Sequence, residues 1–203
     1  MGSVPKSRPP TRLESAIIAK GSSIFPPIPP RHRIPPIADI SMENMYKELE
    51  AVERAIEGND DLTISVMADE DVIAPFVVFL NSQGVEMDAQ VRDTVEKYLD
   101  ASIPIILKEK FRFRFPRPFK FKDLDRPYIS TTGDTPSYPS GHSLQSRFAA
   151  RMLSRFYPQY HNQLMEIGER IGWGRVQMGV HFPQDHYAGR RLGDYLHLVT
   201  KVE

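Results

Sequence analysis

The chain has 203 residues with 26 basic and 26 acidic side chains, so it exerts no overall pull on nucleic acid or an anionic membrane, and any such attraction must be local. Its length suits one domain with a sizeable core, and 40% hydrophobic with 26% charged residues is an ordinary balance for a water-soluble fold. Cysteine is absent, which excludes disulfides, thiolate catalysis and cysteine-based zinc sites.

Residues 1–38 hold nine of the eighteen prolines, in runs such as "FPPIPPRHRIPP". Proline is excluded from helix interiors, so this segment is expected to be a Pro-rich arm, extended or disordered. Ile24, Phe25 and Ile28 could anchor it along its own domain or along a partner subunit in a homo-oligomer. The start shows no secretory leader, since its longest apolar run is Ala16 to Ala19. Position 6 is Lys, against the myristoylation pattern. The apolar stretch "VIAPFVVFL" (72–80) is too short for a bilayer core that needs about 20 residues. A cytoplasmic protein without membrane insertion is expected.

Residues 39–203 read as one helical domain. Met42, Met45, Leu49, Val52 and Ile56 recur at helical spacing, with Ser41 as N-cap and Gly58 as stop. A second helix is predicted over Asp69 to Asn81 despite Pro75. Val91, Val95, Leu99 and Ile103 mark a third, entered at Asp88 and bent or broken at Pro104. Residues 111–139 carry many breakers and read as loop. Leu144, Phe148, Met152, Leu153 and Phe156 form one face of a fourth helix stopped by Pro158. A fifth runs from Leu164 to about Val180, and a sixth follows Pro183. The expected class is all-α, a single-domain bundle of about six helices.

One stretch departs from the even charge balance. "KEKFRFRFPRPFKFK" (108–122) holds seven basic residues and five phenylalanines. Three readings fit it: a nucleic-acid strip in which cations meet phosphates and rings stack on bases, a half-buried strand with alternating Phe and Arg, or a tight site for one phosphate group. Three short patterns decide in favour of the last: Lys110, six residues, then Arg117-Pro118; Pro139-Ser140-Gly141-His142; and Arg175, five residues, His181, three residues, Asp185. Singly they carry little, but together they are expected by chance on the order of once in a million.

The combination resembles the superfamily of type-2 phosphatidic acid phosphatases, bacterial non-specific acid phosphatases and vanadium haloperoxidases, whose signature is K-x6-RP, PSGH, then SR-x5-H-x3-D. The likeness spans Lys110 to Asp185, and "SYPSGHS" is similar to the soluble acid-phosphatase branch. One element departs, since Gly174 stands where the family has serine. The resemblance implies a helical fold and a metal-independent phosphatase, acting on a small phosphorylated substrate without a cofactor. Its implied chemistry is two-step. His181 attacks phosphorus and forms a phosphohistidine, Asp185 fixes the tautomer of His181, and His142 protonates the leaving oxygen and then activates water.

Charge spread over three equatorial oxygens makes such catalysis chiefly positioning and electrostatics. Lys110, Arg117 and Arg175 supply the positive charge, and Ser140 as N-cap sets the Gly141 and His142 amides at a helix start, where anions are favoured. A bell-shaped rate profile on the acid side of neutral follows, because one histidine must start neutral and the other protonated. Replacing serine by Gly174 removes a hydrogen bond worth only about 1 kcal/mol net. Three alternatives remain: a vanadate-dependent haloperoxidase on the same site, a nucleic-acid module using 108–122, and a degenerate family member that binds phosphate without turning it over, for which Gly174 is the only support. His32 and His161 read as surface residues, and His197 and Trp173 as structural. His186 beside Asp185 resembles a metal pair that the nearby cations would oppose. The loop 126–138 is expected to shape specificity.

Overall fold

The computed structural model describes residue 4 and residues 6–35, 42–58 and 61–200. Among these, eight α-helices form and no strand: α1 (Arg12–Lys20), α2 (Met42–Glu57), α3 (Thr63–Glu70), α4 (Ala74–Ser82), α5 (Ala89–Phe113), α6 (Gly141–Phe156), α7 (His161–Gln177) and α8 (Pro183–Val199). The all-α class holds. The predicted N-cap Ser41 lies outside the described residues.

α6 is the axis of the bundle, packed along both α7 and α8. Leu144, Phe148, Ala149, Ala150, Met152 and Leu153 are all fully buried. The opposite side of this helix is a polar stripe, Arg147, Arg151 and Arg155, the first two bonded to Asp194 of α8. Its contact with α8 is close because Gly189 and Gly193 carry no side chain. A Cβ there would stand 2.4 Å from the Ser140 carbonyl oxygen and 2.6 Å from that of Leu144. α2 and α3 cover α7, and α1 lies on α5.

Two helix boundaries differ from the sequence reading. The segment predicted as one helix over 69–81 is two, α3 and α4, because the Asp71 carboxylate takes the Ile73 N–H at 2.8 Å and turns the chain. Pro75 then sits in the first turn of α4, where its missing N–H costs nothing. Conversely, α5 runs unbroken through Pro104 to Phe113. It is capped by Asp88, which accepts from Gln90 N and Val91 N, and it stops at Arg114, which is left-handed at φ 54°.

The arm also needs correction, because it is not extended throughout. Its proline-free middle forms α1, closed by a reciprocal cap in which Glu14 N donates to Thr11 Oγ1 and Thr11 N to Glu14 Oε2. Past Gly21 the chain is pinned to its own domain. Phe25 is buried, with its ring centroid 5.8 Å from those of Tyr98 and Phe148, and Ile28 packs against the core.

Candidate active site

Five segments deliver the motif residues to one place. The last turns of α5 bring Lys110, the following loop Arg117, and the start of α6 Ser140, Gly141 and His142. The end of α7 brings Arg175, and the turn into α8 brings His181 and Asp185. Lys110, Arg117, Gly141, His142 and His181 line a cavity of about 210 Å³, with Thr132, Thr135 and Gln145 beside them and Ile103, Ile106 and Leu107 as its apolar side. Ser140, Arg175 and Asp185 are fully buried and stand outside that lining.

His181 is held from both ends. Its Nδ1 lies 3.0 Å from Asp185 Oδ2 and its Nε2 3.2 Å from Arg117 Nη1. His181 lies just before the N-cap Phe182 and Asp185 lies in the first turn of α8, so the same carboxylate that faces the imidazole also accepts the Phe182 N–H at 2.9 Å, capping α8. Ser137 donates its hydroxyl to Asp185 Oδ2 as well. Ser140 caps α6 by accepting from Ser143 N, and its own N–H donates to the Asp185 carbonyl at 3.0 Å, tying the start of α6 to α8.

The loop 126–138 positions this machinery. Lys110 Nζ donates to the carbonyls of Pro136 (2.5 Å) and Ser137 (3.1 Å). Arg117 donates to those of Thr135 (2.9 Å), Thr132 (2.9 Å) and Val180 (3.0 Å). Arg175 donates to the hydroxyls of Ser130 and Thr132.

Asp69 is the residue that sequence reasoning missed. Its carboxylate takes Arg175 Nη1 at 2.9 Å, with both side chains fully buried. It also accepts from Ser130 Oγ (3.1 Å) and Thr131 N (3.0 Å), and lies 3.6 Å from His142 Nε2. No motif marked it, since it belongs to the last turn of α3. Gly174 now has a reason. A Cβ at 174 would stand 1.7 Å from Ser65 Oγ, which instead donates to the Arg170 carbonyl. Glycine lets α3 approach α7 closely enough to bring Asp69 to Arg175.

The electrostatics follow from burial. Lys110 is pushed well below its ordinary value by desolvation and then by Arg117. Arg117 falls to about 10, by desolvation and then Arg175. Desolvation and the Arg117 and Lys110 charges hold His181 neutral. His142 drops to about 3 through desolvation and Arg175, with Asp69 opposing. Desolvation raises Asp185 to about 6, against the Ser137 hydrogen bond. Three buried cations thus share two carboxylates, Asp69 and Asp185. Arg175 Nε is buried without a hydrogen-bond partner. This donor set favours an anion.

His186 turns away from Asp185. Its Nδ1 is 3.0 Å from Ser143 Oγ and its Nε2 3.1 Å from Glu169 Oε1, so the two neighbours form no metal pair. Among the described residues no three His, Asp or Glu side chains gather as a metal site. The basic-aromatic stretch is not a strand; it is the end of α5 and a loop. None of its five rings is fully exposed: Phe115 is buried against Phe121 and Phe182, and Phe113 meets Tyr138 edge-on at 5.0 Å.

Fold and site together define an all-helical bundle with a cationic cavity suited to an oxyanion. The PAP2 superfamily model matches residues 99–202, just over half of the chain. The chain belongs to that superfamily, whose matched relatives include phosphatases. A non-specific acid phosphatase of Salmonella typhi is 40% identical over 57 residues, 28% of this chain and 23% of that protein. A lipid A 1-phosphatase of Rhizobium etli is 35% identical over 68 residues, 32% of this chain and 28% of that protein. The matched segments are thus under a third of those relatives' lengths.

Similar solved structures share the fold. A bacterial vanadium-dependent iodoperoxidase has a TM-score of 0.60 at 16% identity, covering 81% of this chain and 50% of that one. LpxE of Aquifex aeolicus gives 0.57 at 20%, covering 80% and 96%. A transmembrane phosphatidylglycerolphosphate phosphatase of Bacillus subtilis gives 0.53 at 18%, covering 78% and 85%. No helix among the described residues is long and apolar enough to cross a membrane.

Proposed function

We propose that the chain is a metal-independent phosphatase that hydrolyses phosphomonoesters or small diphosphates through a phosphohistidine on His181. The observation that carries this is the double hold on His181: Asp185 at Nδ1 and Arg117 at Nε2, in a cavity that His142 and Lys110 also line. A carboxylate at Nδ1 fixes the proton there and puts the lone pair on Nε2; the Arg117 N–H that points at it passes to a phosphate oxygen as Nε2 attacks phosphorus. Burial keeps that imidazole neutral, as a nucleophile needs.

Nε2 attacks phosphorus while the bond to the ester oxygen breaks. His142 gives its proton to that oxygen, and the positive charge on His181 is balanced by Asp185. Neutral His142 then takes a proton from water, the water oxygen attacks phosphorus, and the bond to Nε2 breaks to release phosphate and restore both histidines. His142 must start protonated. Burial depresses it most and the Arg175, Arg117 and Lys110 charges add to that; a phosphate dianion offsets those charges, and Asp69 at 3.6 Å acts in the same direction as the dianion. Activity against pH is therefore bell-shaped with its maximum on the acid side of neutral.

The test is hydrolysis of p-nitrophenyl phosphate by the full chain in EDTA. Turnover is expected to persist in wild type and to be lost in His181→Ala and His142→Ala. Wild-type rates in either variant, or a rate rising steadily through pH 9, would overturn the assignment. A lipid phosphate tried beside it separates the two substrate types carried by the matched relatives' names. Halide oxidation by peroxide that appears only on adding vanadate would assign the cavity to the peroxidase alternative instead.

A further inference from the structure

A second cavity, of about 350 Å³, lies between residues Lys6–Arg8 of the arm and the segments 116–120 and 133–136. Arg117 and Thr135 line it and also line the cavity at His181, so the two are neighbours across those residues. Its volume is at the lower end of the roughly 300–1,000 Å³ of small-ligand sites.

The arm wall is fixed in place. Ser7 N donates to the Arg114 carbonyl at 2.8 Å, and Arg114 Nε returns a bond to the Ser7 carbonyl at 2.9 Å. Arg8 is held by Glu14 through two bonds of 2.8 Å, reaches Asp134 at 3.2 Å, and stacks over Phe111 at 5.6 Å. With Glu14 and Asp134 committed to Arg8, Lys6 and Lys120 form no ion pair among the described residues. Lys120 faces only the Phe119 ring, at 5.4 Å. Two buried polar atoms of the same wall, Ser7 Oγ and Arg8 Nε, have no hydrogen-bond partner. Those two atoms are closed off from the cavity, so its anion-binding character rests on the lining charges: Lys6, Lys120, Arg8 and Arg117 against the single carboxylate of Asp134, which Arg8 holds. Two lysines without ion-pair partners beside the Arg117 guanidinium are the complement of an anion with several acceptor oxygens.

We propose that this arm cavity is a second anion site that takes a phosphate-type dianion, bound by Lys6 and Lys120 beside Arg117, with the Ser7–Arg8 segment as its fixed wall. The choice of phosphate over other oxyanions rests on the phosphatase reading. The dianion has two sources, free phosphate released by the reaction or the second phosphoryl group of a diphosphate substrate.

Equilibrium binding of inorganic phosphate to the full chain tests it. Wild type is expected to bind two phosphates. The Lys6→Ala/Lys120→Ala double variant should weaken one of them at least tenfold while p-nitrophenyl phosphate turnover stays within twofold. Lys47→Ala/Lys122→Ala, which removes the same charge elsewhere, should leave both sites unchanged. One phosphate per wild-type chain, unaltered binding in the arm-cavity variant, or equal weakening in the control overturns the proposal.

Kinetics identify the source. A KM raised for pyrophosphate alone in the arm-cavity variant assigns the site to a second phosphoryl group. A product-inhibition curve that changes from two-site to one-site assigns it to free phosphate. Retained turnover in His181→Ala would sink the phosphatase reading without touching the phosphate count, so the two failures are separable.

Discussion

The two halves of the chain contribute to the site in different ways. All eight motif residues come from α5 to α8 and the loop between α5 and α6, and the family match covers the same region, residues 99–202. The N-terminal half adds one carboxylate, Asp69, and the arm wall of a neighbouring cavity. The motif groups are concentrated in one half, while one of the two carboxylates that balance their buried cations, Asp69, comes from the other. Among the described residues Asp69 is the carboxylate that pairs with Arg175. A motif can thus be complete in sequence while its electrostatics depend on a helix the motif does not mention.

Removing that carboxylate should have the largest effect. Asp69→Ala leaves Arg175 buried without its counter-charge, and breaking such a pair costs about 3–5 kcal/mol. The turnover of p-nitrophenyl phosphate should fall about a hundredfold or more, as for loss of one preorganised electrostatic contact. Asp69→Asn keeps acceptors for Ser130 and Thr131 and should recover part of the stability but little of the rate. Thermal unfolding and kcat measured on both variants check this. Stability within 1 kcal/mol of wild type for Asp69→Ala would show that the N-terminal half is only a cover.

The next test concerns the position where the chain departs from its family. Gly174→Ser restores the signature, yet it places a side chain where Ser65 already stands, 1.7 Å from the new Cβ. Overpacking of this kind costs about 1–3 kcal/mol. The variant should be less stable and less active than wild type, because α3 must withdraw and take Asp69 with it. Ser65→Gly in the same chain should rescue it. Activity above wild type for Gly174→Ser alone would mean that the missing hydroxyl, not the helix approach, governs position 174.

How much of this was legible beforehand follows from what each feature depends on. The helices at α2, α6, α7 and α8 were readable because one face of each is buried and the apolar spacing records it. The motif residues were singled out because their combination resembles a superfamily signature, and the fold brings them together around the cavity at His181. The division into α3 and α4 was not, since it depends on one Asp71 side chain bonding one backbone N–H. α1 was masked by prolines that flank it without entering it. Asp69 was invisible because its partner, Arg175, is adjacent only after α3 packs on α7. The role of loop 126–138 lies mostly in backbone carbonyls, which any sequence supplies and none advertises.

A smaller effect is expected from acid. His142 has an ordinary value near 6.5 and is pushed down to about 3 in the fold. The unfolded chain therefore binds that proton more readily, and stability falls as pH drops from about 6.5 toward about 3, by at most about 1.4 kcal/mol per pH unit. Asp185, raised from 3.8 to about 6, acts with the opposite sign between those values. The difference between wild type and His142→Asn isolates the histidine: urea unfolding between pH 7 and 4 should show a shallower loss in the variant. Parallel curves would mean that His142 keeps its ordinary affinity for protons.

The smallest effects should come from the exposed ion pairs, which also join the two halves. Lys122 meets Glu53 of α2 across the surface, and Arg170 of α7 meets Asp61 at 3.1 Å, with both partners about half exposed. Water already solvates these charges, so each pair is worth about 0–1 kcal/mol and weakens with salt. Lys122→Ala and Arg170→Ala should each shift the unfolding midpoint slightly and leave kcat unchanged. Both kinds of bridge span the same boundary and differ chiefly in burial. If either surface variant costs as much as Asp69→Ala, burial is not what separates them, and contact area between the halves, rather than the Asp69 charge, holds α3 against the site.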